Sequence, residues 1–212
     1  MAKQLAPEHL KINEIFYSIQ GEGPFIGRPT IFIRLSGCNL RCPVCDTKHD
    51  TGDTQSPKEI LDTVRSVLEG VRGVDPPLLV VTGGEPLTQA ITPLLTLLMD
   101  NKFQVHLETN GTLPPTNIPS PMLKEIFIVC SPKPGHPVNV ELGRYINIYK
   151  LLVDDETQED EIIPYILTQR PVYLQPLDNG LRTPRNRKRT LVLCKKYNLG
   201  FSPQLHKLIG VK

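Results

Sequence analysis

The chain has 212 residues, 39% hydrophobic and 22% charged, which is enough for one substantial core and short for two ordinary domains. That composition excludes long disorder, a coiled coil and collagen. With 24 basic and 22 acidic side chains the formal net charge is +2, so no global field draws the chain to a nucleic-acid backbone, and no direct nucleic-acid contact is expected.

Apolar stretches such as residues 78–81 fall far short of the roughly 20 residues that span a bilayer, and residues 1–11 lack the apolar run of a signal peptide. The expected setting is the cytoplasm. No repeat and no linker interrupts the pattern, so residues 1–212 are read as one domain.

Residues 12–19 have mixed strand character, and 30–35 form a second strand after a glycine-rich turn over 20–29. Ser56, Pro57 and Glu59 make a capping box with proline at the first helical position. Ile60, Leu61, Val64, Val67 and Leu68 then repeat at helical spacing until Gly70 or Gly73 ends the helix. A buried strand is expected over 78–81, an apolar helix over about 88–99, a strand over 103–107, a proline-rich excursion over 113–121 and a strand over 125–130. After a further loop come a strand (146–153), an acidic-headed helix (about 159–169), a strand (172–174), a helix (about 184–197) and a short extended stretch (200–205).

Strands alternating with helical patterns predict parallel βα units. Polar residues cluster just past the carboxyl ends of the apolar strands: Thr82 to Glu85, Glu108 to Gly111, Ser131 to Lys133, Gln175 with Pro176, and His206 with Lys207. Barrels and open parallel sheets place their chemistry on that rim. A full eight-fold barrel takes about 250 residues, so the expected fold is α/β, a shortened, open (β/α) barrel with parallel strands.

Of five cysteines, Cys130 and Cys194 sit alone in apolar runs, where a buried inert thiol is the default. Cys38, Cys42 and Cys45 fall within eight positions on one loop after a strand. An odd triplet without an export signal points to metal ligation in a reducing compartment. A structural zinc would need a fourth ligand such as His49 or Asp46, whereas a 4Fe-4S cubane takes three thiolates on three irons and leaves the fourth free. The spacing favours the cluster and leaves zinc open.

The C-x-x-x-C-x-x-C spacing, with Gly83-Gly84-Glu85-Pro86 downstream, resembles the radical S-adenosylmethionine (SAM) superfamily. Within it, the segments 14–23, 27–30, 34–42 and 45–47 are similar to the 7-carboxy-7-deazaguanine synthases. So are Glu108-Thr109-Asn110-Gly111, Ser131-Pro132-Lys133, Gln175-Pro176-Leu177-Asp178 and Gln204-Leu205-His206-Lys207. The likeness covers nearly the whole chain. It implies a lyase that makes a queuosine-type 7-deazapurine precursor, used in tRNA modification, from 6-carboxy-5,6,7,8-tetrahydropterin.

By that resemblance, Cys38, Cys42 and Cys45 ligate a 4Fe-4S cluster whose fourth iron is closed by SAM. Val44, Asp46, Gly83, Gly84, Glu85, Ser131, Pro132, Lys133, Gln175, Pro176, Leu177 and Asp178 are expected around SAM. Ile19, Gln20, Gly21, Arg34, Thr82, His206 and the carboxylate of Lys212 are expected on the substrate, and Thr47 on Mg2+. A guanidinium offers a fork to the pterin carboxylate, and hard oxygen suits magnesium. The implied reaction is reductive cleavage of SAM, hydrogen removal from carbon 6 by a 5′-deoxyadenosyl radical, ring contraction and loss of ammonia, with SAM regenerated. A homodimer is the family's expectation. Two positions depart from the pattern. Val44 stands where an aromatic residue is frequent, so contact there is expected through the backbone, and Lys212 sets a flexible cation beside the terminal carboxylate.

Without the family, these residues have plainer readings. Arg34 suits a structural ion pair, Thr82 or Ser131 a cap or turn, and Glu85 a helix cap before Pro86. Lys150, flanked by Ile148 and Leu152 at strand period, either reaches into the site or snorkels. Six acids in residues 154–161 near a helix start read as a solvated cap. Five basic residues in 182–189 read first as solvated surface, and alternatively as a dock for an acidic electron donor of the flavodoxin type. Two other functions remain open at this point: an activase drawing hydrogen from a partner protein, and a zinc-binding interaction module.

Overall fold

The computed structural model describes residues 9–45, 47–73 and 77–212. One nine-stranded sheet carries the fold: β1 (Leu10–Ile19), β2 (Pro29–Leu35), β3 (Asp53–Gln55), β4 (Leu78–Gly83), β5 (Val105–Thr109), β6 (Phe127–Cys130), β7 (Ile148–Val153), β8 (Val172–Pro176) and β9 (Gly200–Phe201), in spatial order β3-β1-β2-β4-β5-β6-β7-β8-β9. From β2 to β9 every pairing is parallel. At one edge β1 runs antiparallel to both β2 and β3. The link over residues 20–28 is too short for the crossover that parallel neighbours need.

The helices are α1 (Pro57–Val67), α2 (Thr92–Asp100), α3 (Ser120–Glu125), α4 (Val140–Gly143), α5 (Ile163–Ile166), α6 (Thr183–Tyr197) and α7 (Leu205–Ile209). The capping box at α1 forms as expected, the Ser56 N–H donating to Glu59 Oε2 at 2.7 Å, and the helix buries Ile60, Leu61 and Val64. α2 starts later than its apolar pattern suggests, because residues 86–88 form a 3-10 turn capped by Glu85. The helix expected over 159–169 is a 3-10 turn followed by α5, with Pro164 in its first turn. α3 occupies the end of the proline-rich excursion, so β6 begins at Phe127. α4, α7 and β3 are short elements that the periodicity did not announce, and α7 replaces the end of the expected extended stretch.

Side chains alternate between the two sheet faces. Ile31, Ile33, Leu79, Val81, Leu107, Ile128, Leu151 and Leu174 face the helices and form the main core with Leu94, Leu98 and Leu193. Each fully buried aliphatic side chain there contributes about 1.5–3 kcal/mol of transfer free energy. The opposite, inner face is filled low down by aromatic rings. Phe16 stacks on Phe32 at 5.0 Å, and Phe25, His106 and Phe127 meet within 5.0 Å of one another. Toward the carboxyl ends that face turns polar, with Arg34, Thr82, Glu108, Lys150 and Gln175.

Sheet pairing does not close the barrel, but the loop after β1 reaches across it. The Gly23 N–H donates to Ser202 Oγ at 2.8 Å and the Leu205 N–H to the Gly21 carbonyl at 2.9 Å.

Candidate active site

The cysteine loop follows β2 and is pinned at its root by the glycines after β4. The Gly84 N–H donates to the Leu35 carbonyl at 3.0 Å and the Glu85 N–H to the Gly37 carbonyl at 2.9 Å. A Cβ on Gly84 would overlap that Gly37 carbonyl and press on Cys38 Cβ, so this close approach requires glycine. Cys38 and Cys42 are half-buried and Cys45 is exposed, all three as free thiols. The Leu40 N–H lies 3.4 Å from Cys38 Sγ, and Asn110 Nδ2 approaches the same sulfur while donating to Asn39 Oδ1 at 3.0 Å. Burial, with the Glu85 carboxylate and the neighbouring Cys42 and Cys45 adding to it, pushes the Cys38 thiol up despite the Leu40 N–H. Bound metal would reverse that balance, since a coordinating thiol is deprotonated outright.

Among the described residues no group of three His, Cys, Asp or Glu closes around a single ion. A cubane asks for no such convergence, because each thiolate takes a different iron. Three soft thiolates on one partly exposed loop, with amide donors turned toward one sulfur, fit an iron-sulfur cluster.

Next to the loop, Lys133 Nζ donates to Ser131 Oγ at 2.9 Å. Burial pulls Lys133 down, Lys150 adds to the shift, and Cys42 is among the groups opposing it. Lys133 therefore lies between the cysteines and the inner-face network.

That network brings together Gln20 and Thr82 of the residues expected on the substrate. Gln20 Nε2 donates to Glu108 Oε1 at 3.2 Å and Thr82 Oγ1 to Glu108 Oε2 at 3.3 Å, while Lys150 Nζ stands 3.8 Å from the same carboxylate. Lys150 also pairs with Glu22. Gln175 and Gln204 each donate an Nε2 hydrogen to Glu22 Oε1 at 2.9 Å. Burial alone would raise Glu22, but the charge and hydrogen bond of Lys150, the Gln204 amide and His206 overcome it and bring its carboxyl down to about 2. His206 packs on Gly21, where a Cβ would overlap its Nδ1. Of the two readings of Lys150, the inward one is what the structure contains.

Other expected residues sit less centrally. Ile19 ends β1 opposite Pro29. Arg34 pairs with Glu14 at 2.6 Å with its guanidinium over the Phe16 ring, and Lys212 joins the same carboxylate and ring while its backbone oxygen accepts from Ser18 Oγ at 2.6 Å. Arg34 thus has the structural partner of its plainer reading, on the face that carries the site. Gly83 ends β4 with φ +124°. Glu85 is fully buried and turned into the protein. Pro132 follows β6, and Pro176 ends β8. The Leu177 N–H bonds the Val153 carbonyl at 2.8 Å, and Asp178 accepts from Thr183 Oγ1 at 2.8 Å and faces Lys207 at 3.6 Å. Val44 is half exposed and Thr47 half-buried at the outer end of the cysteine loop. Asp46 lies outside the described residues.

Sequence reasoning gave no role to Glu22 and Glu108, the two carboxylates that organise the network. The available signal was the alternation of β5, which puts Glu108 on the face of His106 at the strand's carboxyl end.

The charge runs also find their places. Arg182 pairs with Asp155 at 2.7 Å and Glu156 at 2.5 Å, Lys196 with Glu159 at 2.7 Å, and Arg189 donates to the Thr157 carbonyl. The acidic run is therefore a partner of α6 rather than a purely solvated cap, because folding sets β7's exit loop beside that helix.

Fold and cysteine loop together define a radical SAM enzyme, and residues 32–126 match the Radical SAM superfamily. The chain is 37% identical to the 7-carboxy-7-deazaguanine synthase of Rickettsia prowazekii over 96% of this chain and 89% of that one. It is 36% identical to that of Hyperthermus butylicus over 94% of this chain and 92% of that one. It superposes on QueE from Escherichia coli with a TM-score of 0.75 at 27% identity, covering 93% of this chain and 95% of that chain. Streptococcus suis SuiB bound to S-adenosylmethionine shares the fold alone, with a TM-score of 0.52 at 17% identity over 78% of this chain and 48% of SuiB.

The chain belongs to the 7-carboxy-7-deazaguanine synthase family. As a radical SAM enzyme it uses a 4Fe-4S cluster and SAM and acts on a small molecule. Among the described residues no helix is long and apolar enough to cross a membrane.

Proposed function

We propose that this chain, one domain throughout, converts 6-carboxy-5,6,7,8-tetrahydropterin to 7-carboxy-7-deazaguanine with loss of ammonia, in the cytoplasm and as a homodimer. The observation that carries the reading is the gathering of Gln20, Thr82, Glu108 and Lys150 on the inner face of a chain that matches synthases of that name over nearly its full length.

Cys38, Cys42 and Cys45 hold the cluster. Gly83, Gly84, Ser131, Pro132, Lys133 and Gln175 to Asp178 line the SAM site, with Val44 beside it, and Glu85 supports it from beneath. Bound there, the cluster and SAM supply the radical chemistry that removes hydrogen from carbon 6.

The chain's own part is to orient the pterin and exclude water. Gln20 and Gly21 offer backbone and amide groups to its hydrogen-bonding edge, and Ile19 packs beside it. Arg34 offers a fork to the substrate carboxylate once Glu14 shares its charge with Lys212. Glu108, held by Thr82 and Gln20, is placed to accept a proton, and Lys150 compensates its charge. His206 closes the loop side, and Thr47 lends oxygen to Mg2+.

Arg185, Arg187 and Lys188, outside the intramolecular ion pairs of α6, form the dock for an acidic donor of the flavodoxin type. Reversing Arg185 and Arg187 to glutamate slows turnover with a protein donor and not with a small chemical reductant; equal slowing with both would end that idea.

The deciding experiment is anaerobic incubation of reconstituted protein with the pterin, SAM, magnesium and reductant, followed by mass spectrometry. Deazaguanine that vanishes in Cys42→Ala is the expected result. Cluster-loaded protein that cleaves SAM without forming it would discard the substrate assignment.

A further inference from the structure

We propose that Glu22 is a positioning residue, a buried carboxylate clamp that ties the loop carrying Gln20 and Gly21 to the end of β8 and to the segment entering α7. The inference rests on the functional reading above for what that loop presents.

The need for a clamp follows from the topology. β1 and β8 lie near opposite edges of an unclosed sheet, so no ladder hydrogen bond holds the loop after β1 in register with the strand ends it faces. What crosses the gap is local. Glu22 accepts from Gln175 on β8 and Gln204 before α7, pairs with Lys150 on β7, and has a side chain only 16% exposed. Its own N–H donates to Gln20 Oε1 at 3.1 Å, so the clamp and the Gln20 side chain that bonds Glu108 are set together. Ser202, which receives the Gly23 N–H, bonds Gln175 Oε1 at 3.2 Å and completes the tie.

A carboxylate suits this position because it only accepts and has room for several donors. Two glutamine amides and an ammonium are all donors here. A buried ion pair does little for net stability compared with apolar packing, while removing one partner is costly. Positioning accounts for the charge where stability alone does not. The low carboxyl pKa of Glu22 agrees with a permanently ionised clamp.

The test uses the cluster-loaded enzyme and two variants, Glu22→Gln and Glu22→Asp. Aspartate keeps the charge for Lys150 but is shorter by one methylene, about 1.5 Å, and cannot hold both glutamines. The readouts are amide hydrogen exchange without substrate, and KM and kcat for the pterin. Residues 19–27 and 200–212 are expected to exchange about tenfold faster while α1 and α2 stay as in the wild type. KM for the pterin is expected to rise about tenfold with a smaller change in kcat.

A folded variant with wild-type exchange in both segments overturns the proposal, and so does faster exchange spread over the whole chain. If Glu22→Gln does not fold, Glu22→Asp decides. Wild-type enzyme that makes no deazaguanine would remove the functional reading, and the exchange data would still judge the clamp.

Discussion

The carboxylate of Glu85 accepts the backbone N–H of Asn110 at 2.6 Å, joining the turn after β4 to the turn after β5. It also accepts the Thr109 hydroxyl at 2.8 Å and the Leu87 N–H at 3.0 Å, in full burial. Burial pushes the carboxyl pKa up, and the three donors hold it back. Asn110 in turn reaches Asn39 in the cysteine loop, so Glu85 supports that loop through one intermediate.

Replacing Glu85 with alanine strands two buried donors, the Asn110 N–H and the Thr109 hydroxyl, each worth about 1–3 kcal/mol when unsatisfied, and frees the part-buried Leu87 N–H. The expected result is a loss of at least about 2 kcal/mol in urea denaturation, with poorer iron retention. A variant as stable as the wild type would refute this account.

Cys42→Ala is expected to lose its iron and brown colour on reconstitution and to keep its far-ultraviolet circular dichroism. The reason is that residues 38–45 lie beyond the end of β2 and outside the buried core. Iron content and the spectrum check both halves, and a collapsed spectrum would show that the loop is structural.

Gly21→Ala forces His206 aside, since the added Cβ overlaps the imidazole and stands 3.0 Å from the His206 backbone nitrogen. A misplaced group of this kind costs on the order of 100-fold in rate. We expect kcat/KM to fall by about that factor while Tm moves by no more than about 4 °C, equivalent to roughly 1 kcal/mol in a domain of this size. Unchanged kinetics would place His206 outside the reaction.

His106 sets a pH dependence. It is 1% exposed, lies among Phe25 and Phe127, and leaves Nε2 without a partner. Burial, with the positive charge of Arg28, lowers its pKa from 6.5 to about 4. The unfolded chain therefore takes up the proton first as pH falls. The histidine's contribution is fully present above pH 6.5 and is lost between there and about pH 4. By linkage the loss from pH 7 to pH 5 is about 2 kcal/mol. His106→Phe removes the ring's titration, so the variant is expected to lose that much less over the same interval in urea titrations. Parallel pH profiles for the two proteins would contradict it.

Much of the proposed cofactor site was legible in the chain because its groups are neighbours along it. Cys38, Cys42 and Cys45 lie on one loop, and the capping box of α1 spans four residues. The rim positions were readable as well, since β-strand alternation and the parallel pattern together say where polar side chains emerge. α4 and α7 were too short to show a period, and the antiparallel edge came from a link length rather than a residue pattern.

By itself the sequence determined the local elements, the cysteine loop and the strand-end motifs, because propensity, capping and residue spacing act over a few residues. Tertiary structure alone decided how distant charges pair. Lys150 could have snorkelled until the fold set it against Glu22, 128 positions away, and Gln204 meets the same carboxylate across 182. The acidic run likewise became a partner of α6 only when β7 and α6 packed side by side. Such pairings depend on which faces the sheet brings together in a low-dielectric interior, and no local period encodes that.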